Sequence, residues 1–171
     1  MVHRVMAIDP GLTRCGIAVV DADTSRKVRL VDVRIVRTPT EHEIGERLAA
    51  LEAAIIEAIK ERRPNSVAIE QVFSQHNIRT VIGTAQAAGV AALVAHRSGL
   101  PISFHTPSEV KAAVTGSGTA AKAQVASMVG RIVGQPVVGP ADATDAIALA
   151  ICHAWRWPAL QLQRAPKVVA S

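Results

Sequence analysis

Two short apolar segments of the chain each end in a carboxylate, and this pattern constrains the fold more than any other feature of the sequence. Residues 5–8 lead directly into Asp9, and residues 67–69 lead into Glu70. Short runs of β-branched and apolar residues that are bounded by turn residues predict buried strands. In open α/β sheets, ligands bind beyond the carboxyl ends of the strands. We therefore expect Asp9 and Glu70 to line one crevice.

The hydrophobic pattern along the rest of the chain predicts an α/β fold. The first three predicted strands are separated by short turns, which favours an antiparallel meander, and the later strands alternate with helices. We expect a mixed five-stranded sheet flanked by helices, whose strand order does not follow from the pattern. Strands are predicted at residues 2–8, 16–20, 28–36, 66–70 and 101–105, and helices at residues 43–62, 79–97, 108–114, 120–133 and 141–154.

Length and composition indicate one globular domain. The 171 residues are 49% hydrophobic and 19% charged, and no apolar run approaches the roughly 20 residues that a membrane helix needs. We predict a single domain over residues 1–157 and a disordered tail over 158–171, where no period is recognisable. The N-terminus lacks the apolar core of a signal peptide, so we expect a cytoplasmic protein without a membrane partner.

Charge and aromatic content limit the kinds of nucleic acid that the protein is expected to bind, and cysteine spacing argues against a zinc or redox motif. A net charge of +5 suits a polyanion, whereas an aromatic content of 2% without tyrosine disfavours a surface that stacks single-stranded bases. Any nucleic acid is therefore expected to be held by its backbone. Cys15 and Cys152 lack the spacing of a zinc or redox motif, and we predict that both are buried thiols.

A second pair of acids joins Asp9 and Glu70. Asp142 and Asp145 lie three residues apart on a predicted helix, so their side chains share one face. Four ionised carboxylates in one crevice repel one another unless protons or cations neutralise them. Carboxylate ligands without histidine or cysteine favour Mg²⁺ or Mn²⁺ over Zn²⁺. Two ions roughly 3.5–4 Å apart would activate the attacking and leaving oxygens of a phosphodiester, which predicts metal-assisted hydrolysis.

Each acid also has a structural interpretation. Asp9 precedes Pro-Gly and could be a turn residue, Asp142 could complement the dipole of its helix, and Asp145 could lie on the surface. A glutamate at the end of a strand, such as Glu70, has no comparable capping or turn role. The four acids together favour the metal site.

Several longer motifs resemble those of the RuvC family, the crossover-junction endodeoxyribonucleases of the RNase H-like superfamily that resolve Holliday junctions. The resemblance covers residues 2–154. It rests on AIDPGLTRCG, VAIEQVFSQHN, GTAQAAGV, SEVKAAVTGSGTAAKAQVASMV and ADATDAIALAICH, which occur in the order typical of the family. It implies a homodimer that cuts a four-way DNA junction symmetrically with two Mg²⁺ ions per active site, for which Mn²⁺ can substitute. It also implies partnership with the RuvA–RuvB branch-migration complex.

The resemblance assigns roles to individual residues. It places the catalytic, metal-binding carboxylates at Asp9, Glu70, Asp142 and Asp145. It further implies that Lys111 and Lys122 lie near the scissile phosphate and that Phe73 lies near the opened centre of the junction. From the residues alone, the two lysines are solvated helix residues and Phe73 is an ordinary core residue.

Two histidines near these motifs are interpreted from their positions. His76 follows Glu70 closely enough to reach the site, whereas His153 is predicted to be a helix-packing residue because Asp145 already supplies the last acid.

Three other functions compete with a junction resolvase. The DPGLTRCG turn loosely fits nucleotide-binding domains of the actin and sugar-kinase type, but those proteins need a second such domain. A junction-binding protein without catalysis would use only the basic surface. Another RNase H-like nuclease would share the sheet and the acids, so only the segments around Phe73, Lys111 and Lys122 favour the RuvC family over it.

Overall fold

A single mixed sheet organises the chain in the computed structural model, which describes residues 2–71, 78–137 and 139–164. The strands are β1 (His3–Asp9), β2 (Arg14–Ala22), β3 (Val28–Arg37), β4 (Ser66–Glu70) and β5 (Ile102–His105). The helices are α1 (Ile44–Arg62), α2 (Ile78–Arg97), α3 (Pro107–Thr115), α4 (Lys122–Val133) and α5 (Ala141–Arg164). The predicted number of strands and their positions along the chain are confirmed.

The strand order is β3-β2-β1-β4-β5. β1 pairs antiparallel with β2, and β2 pairs antiparallel with β3, as the predicted meander requires. β1 pairs parallel with β4, and β4 pairs parallel with β5. The carboxyl ends of β1, β4 and β5 therefore meet at one edge of the sheet.

Alternation along β1 divides the core into two layers. Val5 and Ala7 pack in the layer that contains α3, α4 and α5, whereas Met6 and Ile8 pack in the layer of α1 and α2. Successive side chains of a strand point to opposite faces. Asp9, two residues beyond Ala7, therefore faces α5.

Small residues let α5 approach the sheet closely. Ala7, Ala18 and Ala68 lie beneath it and are fully buried. Gly16 is the register partner of Asp9, and a Cβ atom at Gly16 would lie only 2.6 Å from the backbone oxygen of Asp142. Glycine is thus required at the point where the first turn of α5 crosses β2.

The last helix is longer than predicted. We expected it to end at Ala154, with disorder from Pro158 onward, but α5 continues through Pro158 to Arg164. Trp155 donates a hydrogen bond to the backbone oxygen of Arg26 at 2.9 Å, and the ring of Trp157 stacks on His3 with centroids 4.2 Å apart. These tertiary contacts hold the helix beyond its predicted end, and residues 165–171 lie outside the described part of the chain.

Both cysteines are buried, free thiols, as predicted. Burial raises the pKa of Cys15 to about 12 and that of Cys152 to about 11. Within the described ranges, none of the helices has the length and apolar character needed to span a membrane.

Candidate active site

Asp9 and Glu70 end adjacent parallel strands. The register pairs Ile8 of β1 with Ile69 of β4, so the two acids follow at the same level of the sheet. Glu70 lies two residues beyond Ala68, on the face that contacts α5. The structure therefore brings the two acids together in one crevice, as the sequence predicted.

The carboxyl groups of Asp9 and Glu70 share a hydrogen bond. Burial, followed by the negative charge of Glu70, raises the pKa of Asp9 to about 8. Burial also raises the pKa of Glu70, although the hydrogen bond from Asp9 opposes that shift. In the absence of metal, Asp9 therefore carries a proton at neutral pH and donates it to Glu70.

Asp142 and Asp145 lie in the first turns of α5, where each approaches a cation. Oδ2 of Asp142 is buried and accepts no hydrogen bond from the described part of the chain, although Arg14 Nε lies 2.9 Å away. Oδ2 of Asp145 lies 3.8 Å from Lys122 Nζ. Burial raises the pKa of Asp145, and Lys122 opposes the shift.

The four acids are close but do not converge on one point. Among residues 2–71, 78–137 and 139–164, no three His, Cys, Asp or Glu side chains are gathered tightly enough to hold an ion in the observed side-chain positions. The residues nevertheless fit a hard cation. Oδ2 of Asp142 accepts no hydrogen bond from the described residues, and a proton offsets the charge of the Asp9–Glu70 pair. Carboxylate oxygens are the ligands that Mg²⁺ prefers.

Lys111 and Lys122 lie beside two of the acids. Together with Glu70 and Asp145 they line a cavity of about 240 Å³. Lys111 is positioned by α3, which begins at a capping box in which the Thr106 hydroxyl accepts a hydrogen bond from the backbone of Glu109 at 3.2 Å. The charges of both lysines lower the pKa of Glu70 and of Asp145 against the effect of burial. The two lysines thus contribute positive charge to the crevice that contains the acids.

A second cavity of about 450 Å³ opens on the β2 side of the acids. Asp9, Asp142, Thr13, Arg14 and Arg47 are among its lining residues. Sequence reasoning did not single out the two arginines. The position of Arg14 in the DPGLTRCG motif could have identified it, whereas Arg47 reaches the cleft only through the packing of α1.

His153 belongs to a buried hydrogen-bond chain rather than to the acidic crevice. Its Nε2 lies 3.0 Å from Ser66 Oγ, and its Nδ1 lies 2.9 Å from His105 Nε2. The predicted packing role of His153 is confirmed. Phe73 and His76 lie outside the described residues.

Comparison with known proteins identifies relatives over nearly the full chain. The family model "Crossover junction endodeoxyribonuclease RuvC" matches residues 5–153. A protein of that name from Streptomyces avermitilis is 56% identical over 170 residues, which cover 98% of this chain and 97% of the relative. Another from Mycobacterium marinum is 55% identical over 156 residues, covering 91% and 85% of the two chains.

Solved structures agree with these relatives. Thermus thermophilus RuvC in complex with a Holliday junction substrate superposes with a TM-score of 0.86 at 33% identity, covering 91% of this chain and 94% of that one. The yeast mitochondrial Holliday junction resolvase, at 13% identity, has a TM-score of 0.65 over 94% of this chain and 82% of its own and shows a shared fold. The chain has the RNase H-like fold and belongs to the RuvC family of crossover junction endodeoxyribonucleases.

Proposed function

We propose that this protein is a structure-selective endonuclease that resolves four-way DNA junctions in homologous recombination and repair. The observation that carries the proposal is the Asp9–Glu70 pair at the strand ends, faced by Asp142 and Asp145 from α5. This acidic crevice occurs in a chain that is 55–56% identical to named junction endonucleases. The related Thermus protein was solved with a Holliday junction substrate. Activity on chromosomal DNA is consistent with a cytoplasmic location.

The four acids would hold two Mg²⁺ ions, for which Mn²⁺ can substitute. When bound, the ions supply Lewis-acid activation of the attacking and leaving oxygens of a phosphodiester. Asp9 must first lose the proton that it shares with Glu70, and Asp142 must leave Arg14. The buried position of Asp9 and Glu70 keeps their orientation fixed and excludes bulk water from one side of the site.

Lys111 and Lys122 would act on the substrate phosphate. The two lysines line the cavity next to Glu70 and Asp145, whereas Arg14 lines the cavity next to Asp9 and Asp142. Positive charge that is already positioned there stabilises the negative charge that develops on the phosphoryl oxygens in the transition state. Phe73 is proposed to lie near the centre of the junction on the basis of the family resemblance alone.

Symmetric cleavage requires two active sites, and we propose that α2 and β5 provide a homodimer interface. Ile82, Leu93 and Phe104 are about half exposed, although they are large and apolar. Small residues of α2, including Ala85, Gly89 and Ala92, line a cavity of about 370 Å³ together with Phe104, and Glu70 and Gln71 also line it. A second copy would cover this apolar surface. Partnership with the RuvA–RuvB complex is proposed from family membership.

The decisive experiment compares cleavage of a synthetic four-way junction with cleavage of a linear duplex of matched sequence, in Mg²⁺ and in EDTA. We expect paired, ligatable nicks in the junction alone, and none in EDTA. Asp9→Asn and Glu70→Gln should abolish cleavage while junction binding remains, because each removes a ligand charge without removing the fold. Glu57→Gln, an exposed substitution on α1, serves as the matched control and should cut normally.

Other results would support the competing functions. Equal cutting of both substrates would indicate a nuclease without junction selectivity. Binding without cutting by the wild type would indicate a junction-binding protein, and normal cutting by Asp9→Asn would refute the metal site. Saturable binding of ATP would revive the nucleotide-binding interpretation.

A further inference from the structure

The 450 Å³ cavity on the β2 side of the acids, which we call the arginine cleft, contains two arginines to which the mechanism described above assigns no contact with DNA. Its lining includes Asp9 and Asp142 and, facing them, Thr13, Arg14 and Arg47. The cavity with Lys111 and Lys122 adjoins the other two acids, Glu70 and Asp145. The acids are therefore flanked by one pair of cations on each side.

Arg47 is held in the arginine cleft by neutral partners. Its Nε donates to the Thr38 hydroxyl at 3.0 Å, and its Nη2 donates to the Thr13 hydroxyl at 2.9 Å. Thr38 is itself buried, and its hydroxyl donates to the backbone oxygen of Leu12. The backbone N–H of Thr38 donates to the backbone oxygen of Thr13 at 3.2 Å. The guanidinium is thus fixed in a built site that joins α1, the β1–β2 turn and the end of β3.

In the described part of the chain, no carboxylate forms an ion pair with Arg47. No Asp or Glu oxygen of the described ranges lies within 4.0 Å of its guanidinium, whereas Arg4, Arg34 and Arg156 each pair with an acid. A planar guanidinium presents several N–H donors that match the geometry of a phosphate. Arg47 is held by two hydroxyls and has no carboxylate partner among the described residues, so its guanidinium can bind an anion.

Arg14 is the second cation of the arginine cleft, and its contact is replaceable. Its Nε lies 2.9 Å from Oδ2 of Asp142 without a hydrogen bond, and about half of its side chain is exposed. A divalent cation bound by Asp142 would take over the role of counter-ion. The Arg14 guanidinium would then be available to a phosphate in the same cleft.

We propose that the arginine cleft binds a backbone phosphate of the cleaved strand next to the scissile phosphate, with Arg47 as the fixed ligand and Arg14 as the mobile one. The DNA strand then crosses the edge of the sheet from the cavity lined by Lys111 and Lys122, over the acids, into the arginine cleft. This inference rests on the proposed junction-cleaving function and adds a phosphate-binding subsite to it.

The test measures binding of four-way junctions in EDTA, where no cleavage occurs. In a series of junctions, single phosphates near the crossover are replaced one at a time by neutral methylphosphonates. We expect Arg47→Gln to weaken binding of the unmodified junction about tenfold, since a charge-assisted contact is lost. The slope of log affinity against log salt should fall by about one. Lys60→Gln, which also removes one positive charge but lies on the exposed side of α1, is the matched control and should bind normally.

The methylphosphonate series locates the phosphate. At one position next to the cut, methylphosphonate should weaken wild-type binding but cause little further loss in Arg47→Gln, because both changes remove the same contact. Independent losses at every position, or unchanged affinity of Arg47→Gln, would overturn the proposal. Arg14→Gln provides a second variant if Arg47→Gln folds poorly, because about half of the Arg14 side chain is exposed. In Ca²⁺, methylphosphonate at the same position should cause little further loss of binding by Arg14→Gln.

Cleavage in Mg²⁺ separates this proposal from the function on which it rests. Wild-type protein that cuts junctions while Arg47→Gln binds them normally would exclude the arginine cleft alone. Wild-type protein that never cuts, but shows the coupled loss at one phosphate near the crossover, would refute the proposed nuclease and retain the cleft as a phosphate-binding site.

Discussion

The protonation of Asp9 depends on whether the active site holds metal ions. This residue ends a buried strand, its carboxyl shares a hydrogen bond with Glu70, and burial raises its pKa to about 8. The proton that Asp9 retains removes one negative charge and so reduces the repulsion among the acids, as bound metal ions would. Metal binding must therefore release this proton.

The retained proton makes the stability of the metal-free protein depend on pH. Between the ordinary pKa of 3.8 and the folded value of about 8, the folded state binds a proton that the unfolded state lacks. The free energy of unfolding should therefore fall as pH rises from about 4 to about 8. Asp9→Asn removes this titration, so its stability relative to wild type should rise by about 2 kcal/mol between pH 6 and pH 8.

Urea unfolding in EDTA at pH 6 and at pH 8 measures this difference. The advantage of Asp9→Asn should be smaller at pH 6 than at pH 8. Parallel pH profiles for the two proteins would contradict the assigned proton. Glu57→Gln again provides the control for a change of surface charge.

The lysines of the crevice give a second prediction for single residues. Removing Lys111 or Lys122 should lower the rate of the cleavage step by about 100-fold, because positioned charge acts mainly on the transition state. Single-turnover cleavage of a saturating junction concentration measures this step without product release. Lys60→Ala, on the exposed side of α1, should leave the rate unchanged. A loss of affinity at an unchanged rate would assign the lysines to ground-state binding.

At the level of elements, α5 carries half of the acidic crevice and depends on Gly16 of β2 for its position. The first turn of α5 crosses β2 where any side chain would collide with the backbone of Asp142. The same register places Gly16 beside Asp9. One close contact between a strand and a helix therefore sets the separation between the acids of the sheet and those of the helix.

Gly16→Ala should therefore impair catalysis as well as folding. Its Cβ would lie 2.6 Å from the Asp142 oxygen, so α5 must shift outward. We expect the free energy of unfolding to fall by about 1–3 kcal/mol, as in other overpacked cores. Cleavage by the remaining folded protein should fall more than junction binding. Gly45→Ala, where a Cβ meets no atom within 4 Å, is the control and should retain activity.

In the whole molecule, one face of the sheet supports the active site, and the other carries the helix of the proposed dimer interface. The face with α3, α4 and α5 supports the acids and lysines, while α2 and β5 leave Leu93 and Phe104 exposed. Exposed apolar surface of this kind is typical of an interface. In the proposed homodimer, two crevices would face the symmetric strands of one junction.

Leu93→Glu tests the interface. The residue is 46% exposed in the monomer, so a charge there should not disturb the fold but should be unfavourable in a buried interface. Sedimentation analysis should show a shift from dimer to monomer, with loss of paired nicks. Ile44→Glu, at 43% exposure on α1, should remain dimeric. A dimer that persists in Leu93→Glu would place the interface elsewhere.

The sequence by itself determined the elements and the acids at their ends. Period-two and helical patterns, the strand-ending Asp9 and Glu70, and the spacing of Asp142 and Asp145 are local features, because the intrinsic geometry of a strand or helix fixes which neighbours share a face. The number of strands and the antiparallel meander followed from these patterns. The motifs carried the family resemblance in the same way.

Only the tertiary structure decided how these elements meet. The pairing of β1 with β4 makes Asp9 and Glu70 share a proton, and the packing of Trp155 and Trp157 extends α5 beyond Pro158. Arg47 enters the cleft through hydroxyls of residues far away in the chain. The pKa of Asp9, the end of α5 and the position of the Arg47 side chain depend on distant neighbours, which a local pattern does not encode.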